Sequence, residues 1–297
     1  MQNARASYEE SGRRFKGKKM SGLMRYAHGN ESRDFFKEIQ LPLVVPTEVP
    51  ITLYEGFEGD RREVETTVPV LDVHEILDYL QTELKLQCPL DKVQAYWKHL
   101  RDHGNPFAIN FPGSDNHVPF TLYGDEVVLG KDSKDKVTGL FLQLTLFKPR
   151  VVREGLWLLC AIQDSVMVHE NLKSLQPVLQ HIVWSCNCAF TGRYPANAMD
   201  GTPLTGVKAE KAGTEFAFGT RWACAELRGD WKWHERTLRL LRTPVSKKLC
   251  FLCNAEASDG HMRYYDIEDG AAWRSSQLDS NSFLQSALRP GARSIIH

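Results

Sequence analysis

The chain has 297 residues, 42% hydrophobic and 25% charged, with lysine plus arginine matched by aspartate plus glutamate at 37 each. This is globular composition, enough for one large or two small domains with a buried core, and the charge balance excludes a whole-molecule field as the means of holding a polyanion. No stretch approaches the roughly 20 continuous apolar residues of a membrane span, and the start, MQNARASYEESGRRFKGKKM, lacks the apolar run of a secretory signal, so an intracellular protein without membrane contact is expected.

Seven cysteines in such a setting are expected to be reduced, with a metal clip as their alternative use. Residues 1–45 read as a disordered basic arm and linker. Arg5, Arg13, Arg14, Lys16, Lys18, Lys19 and Arg25 stand against Glu9 and Glu10, with few large apolar groups to bury. Such an arm is either a solvated tail or a nucleic-acid-binding or nuclear-targeting segment. LPLVVPTEVPIT (41–52) is expected to be extended, because proline removes donors and restricts its predecessor.

Residues 46–112 read as a small helical lead-in. Leu71, His74, Ile76, Leu77, Leu80 and Leu84 fall on one helical stripe with Asp72 as N-cap. Asp91 caps a second helix through Val93, Tyr96, Trp97 and Leu100, stopped by His103-Gly104-Asn105-Pro106.

Residues 113–297 carry the informative pattern. HVPFTLYGDEVVLG (117–130), VTGLFLQLTLF (137–147) and GLWLLCAI (155–162) are three successive strand runs separated by polar turn chemistry. NLKSLQPVLQHIVW (171–184) is a helix, with Asn171 as cap and Pro177 marking a kink or the true start. A loop without periodicity (193–213) precedes a fourth strand run, EFAFGTRWACAELRGD (215–230).

The fold class expected is α/β (α+β), a ribonuclease-H-like mixed sheet in the order β-β-β-α-β. In that arrangement Asp125 lies in the first strand and Asp230 ends the fourth. If those strands are parallel neighbours, the two carboxylates converge and bind a hard divalent cation, magnesium or manganese, suited to phosphodiester chemistry. The competing use of each acid is as a turn or cap residue.

The run from VPFTLYGDE to RGDWKWHERTLRLL and CFLCNA resembles the catalytic region of cut-and-paste transposases of the CACTA (En/Spm) type, over about residues 117–255. It is also similar to transposon-related multicopy proteins of dinoflagellate genomes. The resemblance implies that Asp125 and Asp230 are the first two members of a catalytic acidic triad, that DNA is the partner and that the protein acts in the nucleus; self-association stays open. The third acid is not evident: Glu268, Asp269 and Asp279 are the late candidates, and none sits in a convincing helix. The chain is therefore either a metal-dependent DNA-cleaving and strand-transferring enzyme or, the preferred reading, a catalytically decayed remnant. Glu126 points to the opposite strand face and cannot substitute for an acid of the triad.

Cys250 and Cys253 form a C-x2-C knuckle that supplies half a zinc site. His261 is the candidate third ligand, and Cys224 or His234 the fourth. Trp231, Lys232, Trp233, Arg236, Arg239 and Arg242 form an aromatic and cationic cluster able to stack bases and hold phosphates, or else a core stripe with a solvated back. There is no phosphate loop, dinucleotide fingerprint, nucleophile elbow or H-E-x-x-H. The rivals of the transposase reading are a non-catalytic, zinc-stabilised module that binds nucleic acid or protein, and a structural protein with no nucleic-acid role.

Overall fold

The computed structural model describes residues 44–56, 59–111, 114–128, 136–149, 155–238, 245–250, 252–279 and 282. All but the last two residues of the expected basic arm lie outside them. The chain divides after Thr47, and the unit that begins at Glu48 runs through residue 112 without a division.

The lead-in is not purely helical. Strands β1 (Thr47–Glu55) and β2 (Arg62–Val70) form a two-stranded sheet. Across it Thr67 Oγ1 donates to Glu48 Oε2 at 2.8 Å and Thr52 Oγ1 to Glu65 Oε1 at 3.3 Å. The prolines that suggested a linker are tolerated because a two-stranded sheet consists of edges, where an absent donor costs little.

Helix α1 (Val73–Thr82) buries Val73, Ile76, Leu77 and Leu80, as the stripe predicts. Helix α2 (Leu90–Asp102) starts at Leu90 with Pro89 as N-cap, so Asp91 lies in its first turn and is not the cap. Gly104, at φ +74°, takes the left-handed stop. Asn105 then caps a short helix α3 (Pro106–Asn110), accepting from the Ala108 N–H at 3.1 Å, and Pro106 sits where a missing N–H is harmless.

The principal sheet is mixed and four-stranded, ordered β5-β4-β3-β6. It comprises β3 (His117–Val128), β4 (Lys136–Leu144), β5 (Trp157–Gln163) and β6 (Arg221–Gly229). β3 is antiparallel to β4 and parallel to β6, and β4 is antiparallel to β5. Between β5 and β6 come helix α4 (Leu175–Thr191) and the short helix α5 (Gly206–Lys211). Helix α6 (Trp231–Leu238) follows β6 after a single residue.

Asn171 does not cap α4. It adopts φ +50° in a preceding single turn, and α4 starts at Leu175 with Pro177 inside its first turn, where no intrahelical donor is required. α4 packs on β6 and α1 packs on α4. The first half of β3 is buried, Phe120 fully so, while Val127 and Val128 are exposed; the strand therefore emerges from the core just where Asp125 lies.

Candidate functional site

β3 and β6 share a two-residue motif, Gly124-Asp125 and Gly229-Asp230. In the parallel register Gly124 faces Gly229, so each aspartate is the next residue beyond a matched position, on neighbouring strands about 4.8 Å apart. The glycines have a packing cause. A Cβ on Gly124 would lie 1.9 Å from Trp233 Cε2, and one on Gly229 would lie 2.5 Å from Trp233 Cε3. The indole of Trp233, fully buried, thus lies across the glycine pair and fixes the start of α6 against the sheet.

Alternation along β3 turns Asp125 to the face opposite this indole. Tyr123, two residues earlier, donates its hydroxyl to Asp125 Oδ2 at 3.0 Å. Asp230 caps α6, its Oδ1 accepting the Trp233 N–H at 2.6 Å. Burial, the hydrogen bond to Asp125 and the negative charges of Asp125 and Asp230 push the Tyr123 phenol up, so both carboxylates bear on one hydroxyl. Among the described residues neither aspartate forms an ion pair. Nor does a third His, Cys, Asp or Glu gather with them within 4.8 Å. Glu268 and Asp269 are exposed, and Asp269 pairs with Arg274 at 3.6 Å.

The aromatic and cationic cluster divides. Trp231 and Lys232 are exposed, but Trp233 is spent on the glycine pair and cannot stack on a base. Arg236 lies on α6, its side chain outside the described residues, and Arg239 and Arg242 lie outside them entirely.

Cys250 and Cys253 sit at the tip of a small hairpin in which the Leu249 N–H donates to Ala255 O at 3.2 Å and the Ala257 N–H to Lys247 O at 2.7 Å. The Leu252 N–H donates to Cys250 Sγ at 3.3 Å. The expected third ligand does not join them. His261 is exposed on a separate turn, and among the described residues only Asp72, His74 and Glu75 bring three potential ligand atoms within 4.8 Å of one another. Cys224 is likewise engaged elsewhere, its Sγ donating to Glu226 O at 3.7 Å.

That second group belongs to a buried polar cluster which the sequence reading did not find. The Asp72 side chain, 2% exposed, makes no cap bond; instead Oδ1 meets His181 Nε2 and Oδ2 meets Lys208 Nζ, both at 2.6 Å. His74 Nδ1 and Ser185 Oγ are 2.7 Å apart. Tyr194 donates to Asp78 Oδ2 at 2.6 Å, and Lys211 Nζ lies 3.2 Å from the same phenol. Burial brings the His74 imidazole down to about 4, keeping it neutral, and pushes the Glu75 carboxyl up. Asp72 is held below its usual value: burial opposes this, and the bonds to His181 and Lys208 with the Lys208 charge outweigh it. The only local signal was DVHE at a helix start, where His74 fits an apolar stripe and Asp72 a cap; Lys208 comes from a loop with no periodicity to mark it.

No protein-family model matches the chain, and comparison with curated proteins and with solved structures found no match either. No helix among the described residues is long and apolar enough to cross a membrane.

Proposed function

We propose that the chain carries a ribonuclease-H-like core of transposase descent, catalytically decayed, in which Asp125 and Asp230 hold one divalent cation against a nucleic-acid phosphate. The observation that carries this reading is the pair of carboxylates without ion-pair partners following register-matched glycines on parallel neighbours. The order β5-β4-β3-β6 supports it, because a ribonuclease-H-like sheet needs its first strand flanked by the second and the fourth.

The donor set fits magnesium or manganese, hard cations that accept one or two carboxylates and complete their shell with water and phosphate oxygen. Asp125 commits Oδ2 to Tyr123 and Asp230 commits Oδ1 to the helix cap, so each keeps one carboxylate oxygen for a ligand. Tyr123, held protonated, orients Asp125; the Trp233 N–H orients Asp230. When bound, such a cation supplies positive charge to phosphate oxygens and acidifies a coordinated water. Strand transfer by paired metals requires a third carboxylate, and none gathers here among the described residues, which favours binding over turnover.

Manganese titration of the full chain, followed by electron paramagnetic resonance, tests the site. Asp125→Asn and Asp230→Asn are each expected to weaken binding at least tenfold, and a short DNA duplex is expected to survive incubation with manganese. Equal affinity in both variants would remove the site. Nicking that depends on both aspartates would instead establish a working enzyme.

A second reading, the zinc-stabilised binding module, is favoured by the hairpin that carries Cys250 and Cys253 at its tip with an N–H directed to sulfur. Stoichiometric zinc lost in Cys253→Ser would support it.

A further inference from the structure

The acids that open α1 stand where a helix uses acids, and neither is used that way. Asp72 is the N-cap and Glu75 the third helical residue, the spacing of a capping box, in which each side chain satisfies the other's backbone N–H. Asp72 instead turns to His181 and Lys208. Glu75 is 8% exposed and makes no hydrogen bond or ion pair with any described residue, although its carboxylate lies within 4.8 Å of ligand atoms of Asp72 and His74. A buried carboxylate left without a direct partner is costly, and here one remains inside a cluster already holding two other acids, Asp72 and Asp78, against two lysines, Lys208 and Lys211.

We propose that Asp72, His74 and Glu75 form a binding site for a divalent transition-metal ion of the zinc class, and that the Lys208 ammonium is the cation that fills the site when the metal is absent. Two carboxylates and one imidazole are the donors zinc, cobalt and manganese accept, whereas magnesium disfavours the nitrogen. His74 commits Nδ1 to Ser185, which leaves Nε2 to ligate, and His181 braces Asp72 from behind; these are the outer partners that orient metal ligands. Ligand atoms bound about 2.1 Å from one ion stand roughly 3.4 Å apart, so the group must contract by about 1.4 Å at most from its present spread. Withdrawal of Lys208 permits this. That residue comes from α5, a helix of six residues inside the long β5–β6 connection, and its side chain is anchored at Asp72.

Cobalt(II), a spectroscopic substitute for zinc, is the probe. Titration of the full chain is expected to give visible d–d bands saturating at one equivalent, without the near-ultraviolet charge-transfer band that thiolate ligation would add. Glu75→Gln, which breaks no hydrogen bond, is expected to weaken binding at least tenfold while the unfolding midpoint stays unchanged. Lys208→Met, which removes the competing cation, is expected to tighten it at least tenfold. The proposal fails if Glu75→Gln binds as the wild type does, if Lys208→Met binds no tighter, or if the charge-transfer band dominates.

Discussion

Replacing Gly124 with alanine is the sharpest test of how the candidate site is built. The added Cβ would lie 1.9 Å from Trp233 Cε2, 2.1 Å from Cζ2 and 2.3 Å from Nε1. Carbon atoms rest about 3.5 Å apart, so the indole must retreat by about 1.6 Å. It has little room to do so, since Trp233 is fully buried and its backbone N–H donates to Asp230 Oδ1 at 2.6 Å; moving the ring drags the first turn of α6 with it. Overpacking of a core costs about 1–3 kcal/mol, and a rigid ring at the centre places this case near 3 kcal/mol, after the few tenths that alanine returns by restricting the unfolded chain. Urea unfolding followed by tryptophan fluorescence reads the loss as a lower midpoint. Trp233→Ala alone is expected to cost about 3–5 kcal/mol, and Gly124→Ala added to it almost nothing, because the clash has gone. A Gly124→Ala protein within about 0.5 kcal/mol of wild type, or additive losses in the double variant, would refute the stacking of the indole on the glycine pair.

Gly229→Ala meets a milder contact, 2.5 Å from Trp233 Cε3 and 2.9 Å from Gly124 O, and is expected to destabilise in the same assay by less than Gly124→Ala. Tyr194→Phe removes the buried donor to Asp78 and is expected to cost about 1–3 kcal/mol by urea unfolding; no loss would mean that this bond does not brace the cluster. Burial pushes the Cys160 thiol up to about 12 from 9.0, so the unfolded chain releases this proton first and stability falls as pH rises above 9. Between pH 9 and 10.5 the Cys160 share is about 1.6 kcal/mol, and Cys160→Ala is expected to flatten that part of the urea-midpoint profile; an unchanged slope would contradict it. If α6 meets single-stranded nucleic acid, oligonucleotide quenching of fluorescence is expected to vanish in Trp231→Ala and to leave buried Trp233 unaffected.

Much of the architecture was written locally. The three strand runs, the helix after them and the fourth strand are legible because β-branched and aromatic runs and helical periodicity are properties of short segments. The recurrence of Gly-Asp in LYGDE and LRGDW is visible in the same way. What a short segment cannot hold is register. That Gly124 faces Gly229, and that both glycines are needed because one indole lies over them, follows from pairing residues about a hundred positions apart. The same limit explains Trp233, whose spacing suits a core stripe or a stacking platform equally until the strand beneath it is known. It also explains Asp72, an N-cap by sequence whose side chain answers to His181 and Lys208. A hydrogen-bonding side chain chooses among the partners within reach, and folding brings the distant ones there.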